Sequence, residues 1–506
     1  MASSPFGKDK ICGVVAAPTA REMQAQLAVA LRHTRTVELR LDLLSNDAEI
    51  DKFLTWWEEE PLDGQVIATC RRVKAGGRFA GDGGAEAGIL AVGVDCGASW
   101  CDLGITKEAP GESRLTRLFL GKARALISFH NFRETPRDLT AIVRLLEWCD
   151  GDAIKIATQC NSIADSLRVL GLARGRKNVV AVPMGEMGLP ARVLALREGS
   201  ALAYAAVGEA TARGQLTLDE MKNLYRADKL NRKTRVYGVI GDPVSHSLSP
   251  VLQNAGFQAR KINAVYLPFV VRDLKDFLGA IKPLGIAGFS VTLPHKEAML
   301  RHLDDCDPLA AAIGAVNTVV VRGGEQLYGY NTDYVGVLRA LERRVPLAGS
   351  RVLLYGAGGA ARAAAFALAQ GGAVVCICAR RKKKAQALAR GVGGVVVERR
   401  DLRREFFDAI VNTTPVGMHP QAHLSPLEGR ELNCRVVMDM IYRPAKTKLL
   451  QTAELRGMET ISGVEMFIAQ GTAQWEIWMG QRAPEKEMRR AALRMLVGEE
   501  KNCAGD

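Results

Sequence analysis

Between residues 11 and 207 a short apolar run followed by a helix-compatible stretch recurs eight times, and this recurrence limits the fold more than any other feature of the chain. The runs are "ICGVVAAP", "TVELRLDLL", "QVIATCR", "SWCDLGI", "ALISFHN", "DAIKIAT", "VVAVPMG" and "LAYAAV". Eight such units in roughly 200 to 250 residues make a (β/α)8 barrel. Side chains alternate across a strand, so Val37, Leu39 and Leu41 take one face while Glu38, Arg40 and Asp42 take the other. In the same way Ile127 and Phe129 oppose Ser128 and His130, and Ile154 and Ile156 oppose Ala153, Lys155 and Ala157. An open sheet covered by helices on both faces is apolar on both. Charge confined to one face calls instead for a closed barrel, with helices outside and polar groups within.

On an isolated strand Lys155 reads as a solvated charge. In a barrel, Lys155, His130, Glu38, Arg40 and Arg71 converge toward the C-terminal mouth, where such barrels carry their chemistry. A lysine held there loses water and lies near other cations, and both effects disfavour its ammonium form. An unprotonated amine attacks carbonyls, so Lys155 is a Schiff-base candidate with His130 as the proton carrier beside it.

At these residues the chain resembles the type I 3-dehydroquinate dehydratases. The shared segments are "VELRLDLL", "TCRRVKAGGRFAG", "SFHNFRETP", "DAIKIAT" and the late loop "GEATARGQL". The resemblance implies that Lys155 forms the imine with the substrate ketone and that His130 removes the neighbouring C–H proton and helps water leave. It also implies that Glu38, Arg40, Arg71, Arg192, Thr211 and Gln215 bind carboxylate and hydroxyls, and that no metal or organic cofactor is needed in this half. Family members usually read Asp-x-Glu on the fourth strand, the Glu orienting the histidine, whereas this chain has Asp102 and then Gly104. Asp102 shares a face with position 104 and is expected to substitute in part, from one layer deeper. The family's Ser-Arg reads Ala191-Arg192 here, and its Pro reads Arg213. These departures predict an assembled but slow dehydratase site.

A polar, basic stretch, "YRADKLNRKTR", follows the barrel, and a new apolar strand begins at Val236. The boundary is placed near Arg232, giving domains 1–232 and 233–506. In the second, "RVLLYGAGGAARAAAFAL" puts a Gly-rich turn between a strand and an Ala-rich helix, the context that dinucleotide binding requires. Gly356 makes the tight turn, and Gly358 and Gly359 let backbone N–H groups approach a pyrophosphate at the helix N-terminus. About 20 residues on, an NAD-binding fold offers Asp or Glu to the ribose. This chain offers Ala379, Arg380 and Arg381 there, which favours NADP over NAD. Lys382 to Lys384, which follow, read as solvated helix residues.

The motifs "GDPVSHSLSP", "GFSVTLPHKEA", "GAVNT", "GYNTD", "NTTPVGM" and "GVEMFIAQG" resemble the shikimate dehydrogenases across most of residues 236 to 485. The resemblance implies a substrate lobe of about 236–333, an NADP-binding Rossmann-type lobe of about 334–485, and reacting groups in the cleft between them. Lys296 and Asp333 are the implied catalytic pair. Ser247, Ser249, Thr292, Asn317 and Gln470 are implied to hold the substrate, with Tyr442 nearby, while Ala357, Ala360, Met418 and Gly463 join the glycines and arginines at the cofactor. The family's Asn-Arg-Thr at the phosphate-binding strand reads Ala379-Arg380-Arg381 here.

The totals fit this reading. A chain of 506 residues, 48% of them hydrophobic, divides into two or three domains with their own cores. The net charge of +13 is spread along the chain, which suits small phosphate-bearing ligands better than nucleic acid. Eleven cysteines at irregular spacings, with no CxxC pair, indicate neither a disulfide framework nor a zinc site. The expected setting is a reducing cytoplasm, without secretory signal, transit peptide or membrane span. The resulting expectation is two consecutive reactions, dehydration of 3-dehydroquinate and NADPH-dependent reduction of 3-dehydroshikimate to shikimate. The alternatives are a quinate dehydrogenase, a dehydrogenase with a non-catalytic barrel, and a basic nucleic-acid-binding protein.

Overall fold

A computed structural model describes residues 5–106, 111, 117, 121–208, 214–244 and 247–503. The chain divides into two compact units, residues 1–235 with 263–284, and residues 236–262 with 285–506. The first holds eight parallel strands: β1 (Ile11–Val15), β2 (Thr36–Arg40), β3 (Gln65–Thr69), β4 (Trp100–Gly104), β5 (Arg124–Asn131), β6 (Ala153–Gln159), β7 (Val179–Met184) and β8 (Ala203–Ala206). They pair in the order β7-β6-β5-β4-β3-β2-β1-β8. Ala201 N donates to Val179 O at 2.8 Å beside the one unladdered seam, so the barrel is nearly closed.

Helices α1 (Ala20–Leu31), α2 (Asp47–Glu59) and α3 (Gly83–Asp95) follow β1, β2 and β3. Each starts on a side-chain cap, Thr19, Asn46 and Asp82 respectively, accepting from a backbone N–H that the first turn would otherwise orphan. The connection from β4 to β5 lies largely outside the described residues. Helices α4 (Leu139–Trp148), α5 (Ile163–Gly171) and α6 (Leu189–Glu198) complete the described part of the ring.

Inside the barrel the layers differ sharply. Cys12, Ile67, Trp100, Leu126, Ala153, Val180 and Phe6 form an apolar floor, with Phe6 stacked on Trp100 at 4.2 Å between centroids. Above the floor the inward positions turn polar: Glu38, Thr69, Asp102, Ser128 and Lys155 are all buried. The run "VELRLDLL" differs from its expected course, because β2 stops at Arg40 and residues 41–43 form a 3₁₀ turn. Asp42 is therefore not a strand residue. The turn swings it back to grip Arg40.

The second unit carries two sheets. In one, strands Arg235–Gly241 and Ile286–Val291 are parallel, and Thr318–Arg322 and Gln326–Tyr330 continue antiparallel. In the other, six parallel strands run in the spatial order 395–396, 374–378, 351–355, 407–412, 434–439 and 459–461. That order, reversing beside the strand Arg351–Tyr355, is the doubly wound nucleotide-binding arrangement with its switch point at the first strand. Helix Gly359–Gln370 packs five fully buried alanines, Ala361, Ala363, Ala364, Ala365 and Ala367, at 0% exposure each. Small side chains there let the helix lie close to the sheet and aim its N-terminus at the switch point. The protein is thus α/β throughout: a barrel followed by a two-sheet, Rossmann-type unit.

Candidate active sites

The first site is built on Lys155. Its neighbours on the same face of its own strand are Ala153 in the floor and Ala157 nearer the mouth, both small and nearly solvent-free. Lys155 Nζ donates to Glu38 Oε1 at 3.1 Å and to the Tyr204 hydroxyl at 3.4 Å, lies 4.5 Å from the Tyr204 ring centre, and is ion-paired with Asp102. Thr69 Oγ1 donates to the same Glu38 oxygen at 3.0 Å. Arg71 Nη2 donates to Asp102 Oδ2 at 3.0 Å and stands 4.0 Å from Glu38. Two carboxylates and two cations thus compensate one another in a dry layer, which is how buried charge is retained. Lysine was expected among cations; the groups that touch it are mainly acids.

Asp102 does not take the part expected of it. Its Oδ1 accepts from Ser128 Oγ at 2.5 Å, its Oδ2 serves Arg71 and Lys155, and neither oxygen bonds His130. Lys155 and Arg71 hold its carboxyl far below the usual range against the opposing effect of burial. His130 Nδ1 is buried without a hydrogen-bond partner among the described residues, and the ring stacks on Phe132 with centroids 6.0 Å apart. Burial, with the charges of Arg71 and Lys155, pushes the imidazole well below its ordinary value, so it is neutral at pH 7.

The other predicted residues of this half divide. Arg40 is committed to Asp42 through a two-pronged contact of 2.9 and 2.8 Å and does not touch Lys155. Arg192 is 9% exposed, gives its Nε to Pro183 O at 2.7 Å, and has no carboxylate partner among the described residues. Burial lowers it to about 10. A buried guanidinium without an acid is suited to a carboxylate that arrives with a ligand. Gln215 is half-buried on the late loop, and Thr211, like Arg213, lies outside the described residues. Thr69, Ser128 and Tyr204 were not singled out from sequence. Ser128 had a readable signal, since it shares a face with His130, whereas Tyr204 sits in an apolar run with none.

In the second unit Lys296 Nζ donates to Asp333 Oδ2 at 2.5 Å. Asn317 Nδ2 donates to Asp333 Oδ1 at 2.8 Å and to Thr332 Oγ1 at 3.1 Å, and its Oδ1 accepts from Thr332 N at 2.7 Å. Asn331 Oδ1 accepts from Asp333 N at 3.0 Å. The carboxylate therefore has both oxygens assigned, while Lys296 remains partly exposed, with 21% of its side chain accessible. Ser249 N donates to Ser247 Oγ at 3.2 Å, Thr292 N to Ile240 O at 2.9 Å, and Gln470 Nε2 to Phe467 O at 3.0 Å, with Tyr442 stacked on Phe467. Gln474, absent from the sequence reading, donates to Asn317 O at 3.1 Å and accepts from Ser290 Oγ at 2.9 Å.

The residues at the Gly-rich turn fit a dinucleotide. Gly356 has φ +127°, and a Cβ there would stand 2.3 Å from Thr413 Oγ1. At Gly358 and Gly359 a Cβ would meet nothing within 4 Å, and no side chain caps the helix, so its first N–H groups are open to an anion. Ala357 and Ala360 are partly exposed beside them. Arg380 and Arg381 are exposed and have no carboxylate partner among the described residues, which matches a 2′-phosphate. Gly463 opens a helix against Ile441 O, which leaves no room for a Cβ, and Met418 is 47% exposed. Among the described residues no group of His, Cys, Asp or Glu could hold a metal ion.

The comparisons agree with this geometry. The type I 3-dehydroquinase family matches residues 11–232, the shikimate dehydrogenase substrate-binding domain residues 239–319, and the shikimate 5'-dehydrogenase C-terminal domain residues 463–493. A bifunctional 3-dehydroquinate dehydratase/shikimate dehydrogenase of Arabidopsis thaliana, a chloroplastic protein, is 34% identical over 474 residues, covering 89% of this chain and 78% of the relative. An NADP(+) shikimate dehydrogenase of Thermococcus kodakarensis is 46% identical over 268 residues, 52% of this chain and 97% of the relative. A crystal structure of a shikimate dehydrogenase in complex with NADP+ matches 53% of this chain and 97% of its own, with 38% identity and a TM-score of 0.50. With a barrel that encloses a lysine among acids and a second unit that pairs a lysine with an aspartate beside a dinucleotide turn, the chain belongs to the family of bifunctional 3-dehydroquinate dehydratase/shikimate dehydrogenases.

Proposed function

We propose that residues 1–232 dehydrate 3-dehydroquinate through an imine on Lys155, and that residues 233–506 reduce the resulting 3-dehydroshikimate to shikimate with Lys296 and Asp333 moving the proton. The observation that carries the first half is the buried Lys155 amine, held by Glu38, Tyr204 and Asp102 at the level where the barrel interior turns from apolar to polar.

In the dehydration, Lys155 Nζ attacks the ketone carbon and the carbonyl oxygen leaves as water, giving an iminium. Its positive charge draws electrons from the adjacent C–H bond as His130, neutral and therefore able to accept, takes that proton. Hydroxide leaves the next carbon with a proton returned by His130, the C=C bond forms, and water hydrolyses the imine to restore Lys155. Arg192, which has no acid partner among the described residues, takes the substrate carboxylate, and Arg71, Arg40, Glu38, Gln215 and Thr211 are assigned to its hydroxyls.

In the reduction, NADPH supplies a hydride to the ketone carbon. The carbonyl oxygen then needs a proton, and Lys296, oriented by Asp333, supplies it. Asn317 fixes the carboxylate, and Ser247, Ser249, Thr292, Tyr442 and Gln470 line the substrate lobe, taken as about 236–333. Gly356, Ala357, Gly358, Gly359 and Ala360 hold the pyrophosphate, Arg380 and Arg381 the 2′-phosphate, and Met418 and Gly463 the nicotinamide end of the lobe, about 334–485. The cysteines other than Cys503 are free thiols, which supports a reducing, cytoplasmic setting. No described helix is long and apolar enough to cross a membrane.

A paired assay on the purified full chain tests the whole reading. NADPH consumption from 3-dehydroshikimate reports the second half, and NADPH consumption from 3-dehydroquinate alone requires both. Consumption from the first substrate but not the second would leave the barrel without its activity.

A further inference from the structure

The carboxylate that family resemblance leads one to expect at position 104 is missing, and the structure has not left that place open. Across β4, β5 and β6, Gly104 pairs with Ser128 and Ser128 with Lys155, so the three stand in one layer. A Cβ on Gly104 would lie 2.9 Å from the Ala75 Cβ and 3.4 Å from Arg71 Cγ. The stem of Arg71 runs alongside this position at contact distance, so a side chain longer than alanine would compete with it for space, and its guanidinium reaches Asp102, which pairs with Leu126 one register step nearer the floor.

We propose that Asp102 is a positioning residue for Lys155 in the dehydration, and that Gly104 makes this possible by giving Arg71 its route to Asp102. Ser128 fixes Asp102 Oδ1 at 2.5 Å and Arg71 fixes Oδ2 at 3.0 Å, so the carboxylate is held from both sides. Lys155 Nζ meets that fixed oxygen together with Glu38 and Tyr204, so its three directions beyond Cε are all held and the position of the nitrogen is set. When the nitrogen becomes an iminium its charge stays against Asp102, a preorganised counter-charge in a dry layer. The acid that the fourth strand retains thus serves the lysine, and the histidine Nδ1 has no partner among the described residues, its ring stacked on Phe132.

This inference rests on the imine reading, and the test separates the two. Full-length wild type, Asp102→Asn, Ser128→Ala and Gly104→Glu are assayed for dehydration of 3-dehydroquinate and for borohydride-dependent labelling of Lys155 by that substrate. A charge-assisted contact is worth about 10- to 100-fold, so Asp102→Asn is expected to lower kcat and the labelling rate by that much with KM little changed. Ser128→Ala is expected to act in the same direction by about fivefold. Gly104→Glu is expected to lower kcat, since it displaces Ala75 and Arg71. Wild type that takes no label overturns the imine reading itself. Labelled wild type with Asp102→Asn at wild-type kcat overturns the role of Asp102, as does Gly104→Glu raising kcat, which would assign the needed acid to His130. Should Asp102→Asn fail to fold by circular dichroism, Ser128→Ala at wild-type kcat overturns the proposal in its place.

Discussion

Asn317 spends its amide on Asp333: Nδ2 reaches Asp333 Oδ1 at 2.8 Å, which leaves the other oxygen to Lys296. The lysine of the second site is therefore oriented by a carboxylate that is itself oriented, and the chain of contacts makes separate predictions for each member.

Replacing Lys296 by Ala should cut kcat for shikimate dehydrogenation by about 10²- to 10⁴-fold, the usual contribution of a positioned proton donor, with KM nearly unchanged. A rise in KM at constant kcat would instead make Lys296 a binding residue. Asn317→Ala should lower kcat by about tenfold, the size of one hydrogen bond to a charged group. Steady-state kinetics with saturating NADP+ decides both.

Lys155→Met should abolish dehydration and borohydride labelling while leaving NADPH consumption from 3-dehydroshikimate at the wild-type rate. The two activities reside in units with separate cores, so a loss of both would point to misfolding. Mass spectrometry of the trapped protein and the paired assay make the comparison.

Changing Arg380 and Arg381 together to Ser should raise KM for NADPH by about 10- to 100-fold, the size of roughly 1.5–3 kcal/mol lost in all from charge-assisted hydrogen bonds to an exposed phosphate. KM for NADH, which has no 2′-phosphate, should move little. Equal losses with both cofactors would show that the arginines support the lobe and not the phosphate.

Gly356→Ala should weaken both folding and NADPH binding. The residue sits at φ +127° with Thr413 Oγ1 at 2.3 Å from a would-be Cβ, and holding a non-glycine residue in such backbone costs about 1–3 kcal/mol before the clash is counted. A lower melting temperature of the second unit, with NADPH no longer restoring it, is the expected outcome in scanning calorimetry.

His130 gives a pH prediction. Its folded value is depressed by burial, Arg71 and Lys155, so below about 6.5 the unfolded chain takes a proton that the folded barrel refuses, and stability falls as pH drops through that range. His130→Gln should therefore lose less stability than wild type between pH 7 and pH 5. Glu86, which burial pushes up to about 7, acts in the opposite sense over the same window, so the variant must be compared with wild type and not with a fixed standard. Equal pH slopes for the two proteins in urea unfolding would contradict the burial of a neutral His130.

Much of this architecture was written in local pattern. All eight barrel strands could be read because each is a short apolar run set between helix-compatible stretches, several of them alternating, and the dinucleotide turn because Gly356, Gly358 and Gly359 fall between a strand and an alanine-rich helix. Lys155 was conspicuous for being charged between two small residues on an inward face. The partners were harder to read, and for a definite reason. Arg40 and Asp42 find each other through a 3₁₀ turn that breaks the strand period, which alternation alone does not foresee. Asp102 bonds residues 26, 31 and 53 positions away in the chain, namely Ser128, Arg71 and Lys155, so its allegiance depends on how strands are staggered.

Periodicity acts over single turns and strands and depends only on which residues prefer water, so the amino-acid order alone determined the strand faces, the bend at Gly356 and the residue types available for chemistry. Which acid meets which base was decided by the closed barrel and the paired sheets. There, removal of water makes every unpaired charge costly and leaves only the contacts that the register can bring within reach.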